Sequence, residues 1–207
     1  MLKRANIAVF VSGGGTNLQA LLDAEAAGHL KSGHIAVVVS SRPGVYALER
    51  AAAAGVPARI ADRKALGSQE AFEAAILDAL SEFSVDLIVL AGFLSILSED
   101  FVRRFPRRIL NVHPALIPSF CGKGYYGLRV HEEALKKGVK VTGATVHFVN
   151  EIPDGGEILL QKAVEVLPGD TPEVLQRRVM EQAEWELLPR AAEMVSENII
   201  NEGTEQQ

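Results

Sequence analysis

Asn111, Val112, His113 and Pro114 follow the apolar pair Ile109 and Leu110 and precede a long stretch rich in Pro and Gly. In a strand, side chains alternate, so Asn111 and His113 project from one face and Val112 from the other. Pro114 has no N–H for a ladder and ends the strand. An amide and an imidazole side by side at a strand end suit carbonyl chemistry. The amide donates to a developing oxyanion, and the imidazole moves a proton or, as imidazolium, donates to the same oxygen. A carboxylate beside the ring favours the imidazolium and raises its pKa. Asp154, followed by Gly155 and Gly156, stands on a turn that can reach this face. The plainer reading of Asp-Gly-Gly is turn chemistry. On local pattern alone, a solvated histidine at a polar strand end is as good a reading of His113 as a catalytic one.

A second candidate lies near the start. Ser12, Gly13, Gly14, Gly15, Thr16 and Asn17 follow the apolar run over 6–11 and open a helical pattern that closes near Gly28. Glycines let backbone approach a phosphate, and the first helical N–H groups point at it. The loop lacks the G-x-G-x-x-G spacing and the G-K-[ST] ending, so a phosphate monoester fits better than a dinucleotide or P-loop ligand. The alternative is a tight turn with Thr16 or Asn17 as helix cap. His147 lies on an apparent strand face with Thr145 and Val149, where a packed histidine is the plainer reading. Cys121, the single cysteine, reads as a bystander thiol. No H-x-x-x-H, C-x-x-C or G-x-S-x-G occurs, and no metal is expected. Pattern alone reaches transfer of an acyl-like group involving a phosphorylated substrate.

The elements that must carry these residues alternate. Strands are expected over 6–11, 34–41, 57–60, 86–92 and 108–113, with helices between them, the one after Ser68 running to about Phe83 and a short one after Ser98. This βαβ alternation predicts a Rossmann-like α/β fold, a mostly parallel sheet with helices on both faces. Residues 114–127 form a long loop without periodicity, followed by a helix over 128–137. Strands over 139–150 and 157–166 are joined too closely for a parallel crossover, so an antiparallel C-terminal hairpin is expected. Thr171 and Pro172 start a last helix that Pro189 is expected to kink or break, ahead of a frayed tail over 201–207. The 207 residues read as a single domain, with a phosphate-binding half over about 1–110 and a catalytic half over about 111–200. A net charge of −5, with no basic run longer than two residues, argues against a nucleic-acid partner. The short apolar run after Met1, Leu2, Lys3 and Arg4 is neither a leader nor a span, and the lone cysteine suits a reducing compartment, so a cytoplasmic protein is expected.

Four segments then become specific: V-S-G-G-G-T-N-L-Q-A, L-A-G-F-L-S-I-L-S, N-V-H-P-A-L-I-P-S-F and H-F-V-N-E-I-P-D-G-G. In this order, over about 7–189, the chain closely resembles the phosphoribosylglycinamide formyltransferase family of folate-dependent formyltransferases. The resemblance implies the formyltransferase fold and transfer of a formyl group from 10-formyltetrahydrofolate, as co-substrate, to glycinamide ribonucleotide. It implies catalytic roles for Asn111, His113 and Asp154, with Asp154 raising the His113 pKa. It assigns the ribonucleotide to Gly14, Gly15, Thr16, Asn17 and Glu184. It assigns the folate to Leu94, Ser95, Ile96 and Leu97, to Asn150, Glu151, Ile152 and Pro153, and again to Asn111 and Asp154. A homodimer is left open.

There are departures. Gln69 and Ser95 stand where basic residues often meet the folate tail. The loop over 121–127 is longer than the common Y-P-G-L form, and the turn before Glu184 is one residue longer. Rival readings are a 10-formyltetrahydrofolate deformylase, a methionyl-tRNA formyltransferase domain, and a non-catalytic phosphate-sugar or folate binding module. The first two are expected to carry extra domains for which an acidic chain of 207 residues leaves no room.

Overall fold

Strands apolar on both faces need cover on both faces. In the computed structural model, which describes residues 4–205, they receive it. The strands are β1 (Ala5–Val11), β2 (Gly33–Ser40), β3 (Ala58–Ile60), β4 (Leu87–Leu90), β5 (Ile109–His113), β6 (Val141–Phe148) and β7 (Ile158–Glu165). They form one seven-stranded sheet in the order β3-β2-β1-β4-β5-β6-β7. Pairs from β3 through β5 are parallel; β5–β6 and β6–β7 are antiparallel. The expected mostly parallel sheet with an antiparallel C-terminal extension is what forms.

The helices are α1 (Thr16–Ala26), α2 (Tyr46–Ala53), α3 (Arg63–Leu66), α4 (Gln69–Ser81), α5 (Glu99–Arg103), α6 (Leu128–Lys137), α7 (Pro172–Val179) and α8 (Trp185–Glu205), with a π turn over Met180–Glu184. Alternation along β1 splits the core. Ile7, Val9 and Val11 pack with Leu18 and Leu21 of α1 and Leu188 and Ala191 of α8 on one face. Ala8 and Phe10 pack with Phe72 and Ile76 of α4 and Phe101 of α5 on the other. Ser68, Ser98 and Thr171 cap their helices as expected, each hydroxyl accepting a backbone N–H within the first turn.

Three expectations need correction. The short helix α3 was not anticipated: Asp62 accepts from Lys64 and Ala65 N–H groups and starts it. Pro189 does not break the last helix, which runs on through Glu205. The irregularity lies upstream, in the π turn, where one inserted residue widens the helix just before the proline. That turn ends on Glu184. The expected frayed tail is helical to Glu205; its last two residues, and Met1 to Lys3 at the other end, lie outside the described residues. Among the described residues no helix is long and apolar enough to cross a membrane.

Candidate active site

The end of β5 carries Asn111 and His113 on one face, as alternation requires. Antiparallel pairing with β6 sets His147 opposite Asn111 and Thr145 opposite His113. Beyond β6 the chain turns tightly. The Ile152 N–H donates to Asn150 Oδ1 (3.0 Å), the Gly155 N–H to the Ile152 carbonyl (2.9 Å), and Asn150 Nδ2 to the Gly155 carbonyl (3.2 Å). A side chain at Gly156 would overlap the Phe148 carbonyl. This turn holds Asp154 at φ 56°, a left-handed conformation uncommon for a non-glycine residue. Its carboxylate lands between two histidines: Oδ2 is 3.5 Å from His113 Nδ1, and Oδ1 is 3.5 Å from His147 Nε2.

Hydrogen bonds fix the rest. Asn111 Nδ2 lies 3.2 Å from His147 Nε2 and donates to Asp154 Oδ1 at 3.5 Å. His147 Nδ1 donates to the Phe148 carbonyl at 2.8 Å, which leaves Nε2 turned toward Asn111 and Asp154. The Gly122 N–H donates to Asp154 Oδ2 at 2.8 Å. His113 Nε2 donates to the Phe120 carbonyl at 2.8 Å. Phe120 is itself left-handed, at φ 50°, and strained backbone of this kind gathers at functional sites. Thr145 anchors the start of the long loop: its hydroxyl donates to the Ala115 carbonyl (2.7 Å) and accepts from the Ile117 N–H (3.1 Å).

Both ring nitrogens of His113 therefore face oxygen acceptors. Only the imidazolium can donate to both; a neutral ring leaves one lone pair against an acceptor. Burial opposes that charge. His113 is only 4% exposed, and desolvation pushes its pKa below the ordinary histidine value against the upward pull of Asp154 and the Phe120 carbonyl. Asp154 thus acts in the expected direction, and burial, the larger effect, sets the net position of His113 below the ordinary value. For Asp154, burial pulls upward. The bond to His147, the His113 charge and the Gly122 N–H outweigh it and hold the carboxyl below its usual range. His131 on α6 is fully buried with neither ring nitrogen bonded, and burial, with a smaller contribution from His113, lowers its pKa to about 4. Burial, and Asp154 nearby, raise the Cys121 thiol, which leaves it little thiolate and fits a bystander.

The glycine loop meets the start of α1. Gly15 has φ 73°, and a Cβ there would come within 2.7 Å of the Ala47 Cβ. Neither a left-handed turn nor that approach admits a side chain. Gly15 is the N-cap residue, with no side-chain cap bond, so neither Thr16 nor Asn17 caps the helix. Gly13 and Gly14 face open space. Asn17 Nδ2 donates to Glu184 Oε2 at 2.7 Å, and both residues are buried. Burial raises the Glu184 pKa, with the Asn17 bond opposing it. The structure thus brings Glu184 to the loop assigned with it.

Of the loop after β4, Leu94 and Ile96 are 52% and 71% exposed, and Ile152 across the sheet end is 60% exposed. Leu97 instead packs on the core. The Leu94 N–H donates to Ser12 Oγ at 2.9 Å, and Gln69 Nε2 donates to the Ile96 carbonyl at 3.0 Å and to Glu73 Oε1 at 2.6 Å. Gln69 braces this loop. Ser95 is half-buried; Asn150, Glu151 and Pro153 flank the turn at Asp154. His147 is the residue that sequence reasoning undervalued; its signal was the hairpin register. The Phe120 carbonyl and Gly122 N–H carried no signal, since backbone groups have no letter. Among the described residues no group of His, Cys, Asp or Glu is placed to hold a metal ion.

An amide, two imidazoles and a carboxylate gather at the ends of β5 and β6 in a mostly parallel sheet whose first strand runs into a glycine loop, the arrangement of a formyl transferase. The chain belongs to the formyl transferase family, whose model matches residues 5–192. It is 42% identical over 183 residues to the phosphoribosylglycinamide formyltransferase of Haemophilus influenzae, covering 88% of this chain and 83% of that protein. It is 44% identical over 201 residues to the trifunctional purine biosynthetic protein adenosine-3 of Bos taurus, covering 97% of this chain. The chain spans about a fifth of the length of such trifunctional relatives. Among solved structures, glycinamide ribonucleotide transformylase 1 from Symbiobacterium toebii superposes with a TM-score of 0.87 at 45% identity, over 94% of this chain and 89% of that one.

Proposed function

We propose that this chain transfers the formyl group of 10-formyltetrahydrofolate to the amine of glycinamide ribonucleotide, a step of purine synthesis. The observation that carries the proposal is the placement of His113 between two oxygen acceptors, beside the Asn111 amide. The substrate amine attacks the formyl carbon; a C–N bond forms to the amine as the bond to the folate nitrogen breaks. Asn111 donates to the oxyanion, and so does protonated His113, whose Nε2–H exchanges the Phe120 carbonyl for it while Nδ1 stays toward Asp154. Asp154 offsets the desolvation of the imidazolium. One proton leaves the amine and one reaches the departing nitrogen, and His113 is the group placed to relay it. Gly14, Gly15, Thr16 and Asn17 hold the ribonucleotide phosphate, with Glu184 against Asn17. Exposed Leu94, Ile96 and Ile152 offer the apolar wall that a flat pterin ring needs. Ser95, Leu97, Asn150, Glu151 and Pro153 complete the backbone of that wall. The chain works as one unit, with phosphate binding in the first half and chemistry in the second, in a reducing, cytoplasmic compartment that its single cysteine suits.

The test is to mix 10-formyltetrahydrofolate with the protein, with and without glycinamide ribonucleotide, and follow folate absorbance. Turnover that requires the nucleotide, and falls at least about a hundredfold in His113→Ala, is the expected result. Turnover without the nucleotide would mean a deformylase. No turnover at all would mean a binding module.

A further inference from the structure

Arg50 lies on α2, outside every segment to which the motifs assign a role. Its Nε–H donates to the Gly14 carbonyl at 2.9 Å, and Nη1 donates to Gln19 Oε1 at 2.9 Å. The guanidinium also lies 4.9 Å from the Tyr46 ring centroid, so its plane is fixed from a third side. One turn earlier, the Ala47 N–H donates to the Gly13 carbonyl at 3.1 Å. Helix α2 therefore grips two consecutive carbonyls of the glycine loop. In a trans peptide the C=O and the following N–H point in opposite directions within one plane. Holding the Gly13 and Gly14 carbonyls toward α2 turns the Gly14 and Gly15 N–H groups away from it, to one common side. Glycines at both positions, free of any Cβ, would otherwise let these planes rotate.

The guanidinium is also uncompensated. Among the described residues no carboxylate lies in ion-pair range of half-buried Arg50, as is also true of Arg42, Arg63, Arg104, Arg129 and Arg190. The nearby acid of α1, Asp23, is instead held by Gln19 Nε2 at 2.8 Å. An unpaired, partly desolvated cation beside aligned N–H groups raises the potential at an anion site.

We infer that Arg50 is a positioning residue of the phosphate site: it locks the Gly14–Gly15 peptide plane so that backbone N–H groups meet the anion, and its charge has no competing partner. This rests on the reading of the glycine loop as a phosphate cradle, and the test separates the two. Ribose 5-phosphate is titrated calorimetrically into wild type, Arg50→Met and Arg50→Lys, and both substrates are varied in the transfer assay. Wild type is expected to bind; Arg50→Met, which keeps the aliphatic stem but no donor, is expected to bind at least about tenfold more weakly. Arg50→Lys, with donor and charge, is expected to recover most of that loss. In Arg50→Met the KM for the ribonucleotide rises in proportion, while kcat and the KM for the formyl donor stay within about twofold. Wild type that fails to bind ribose 5-phosphate overturns the cradle itself. Binding by Arg50→Met equal to wild type, no recovery by Arg50→Lys, or an equal rise in both KM values overturns the role of Arg50.

Discussion

His113 sits at the balance of two opposed effects of similar kind. Its hydrogen-bond partners, the Phe120 carbonyl and Asp154, suit the imidazolium; its burial suits the neutral ring. Such a group is poised to change charge when a ligand changes its surroundings, which is what a proton carrier needs. Among the described residues Asp154 is the only carboxylate acting on His113, so it supplies the upward pull that a neutral amide cannot. Asp154→Asn is expected to lower the His113 pKa further, read by NMR titration of the ring, and to cut formyl transfer by about a hundredfold. Since the needed species is the cation, the residual activity of that variant should decline at a lower pH than wild type as pH rises. An unchanged ring titration would mean that the 3.5 Å contact carries no coupling.

At the scale of elements, two short backbone devices aim the chemistry. One is the turn after β6, in which Asn150, Gly155 and Gly156 force Asp154 into its left-handed position. The other is the glycine loop, pressed between α1 and α2. Gly15 is confined there by its own φ and by Ala47. Gly15→Ala adds a strained conformation and a clash with packed backbone, so a loss of about 1–3 kcal/mol is expected in urea unfolding. Weaker phosphate binding should accompany it, because relief of the clash must move the loop. Wild-type stability in that variant would show that α2 yields easily. The π turn belongs at this scale too. It takes up one residue without rotating Glu184 off the loop, and the Asn17–Glu184 bond joins residues 167 apart in sequence.

For the whole molecule, the consequence of burying imidazoles is sensitivity to acid. His131 is fully buried, and its pKa lies near 4 against an ordinary 6.5. The unfolded chain takes up its proton first, so stability is complete above about pH 6.5 and is lost as pH falls toward 4. Between pH 7.5 and 5 this one group should cost about 2 kcal/mol. His131→Leu, of similar bulk and with no nitrogen to leave unbonded, is expected to flatten that limb of the stability curve while remaining close to wild type at pH 7.5. Urea midpoints at the two pH values decide it; an acid limb as steep as wild type would place the sensitivity elsewhere.

Much of this was legible in the chain itself. Runs such as 7–11 and 87–91 are apolar at every position, and only a strand covered on both faces can bury them, so the layered α/β sheet followed from composition and period. Ser68, Ser98, Thr171 and Pro172 marked helix starts because capping is local chemistry within one turn. Alternation likewise put Asn111 and His113 on one face. The motifs, read against a known family, then supplied roles that local pattern could not. What tertiary structure decided is whatever depends on contact between distant segments. The register of β5 against β6 drew His147 into the site. The long loop offered its Phe120 carbonyl and Gly122 N–H to His113 and Asp154. The packing of α2 on the glycine loop committed Arg50 to Gly14. Burial, a property of the whole fold, turned the pKa of His113 downward where its nearest neighbour alone would have raised it. A sequence states which groups are present and which face they leave from; desolvation and the aim of backbone dipoles exist only once the chain has closed around them.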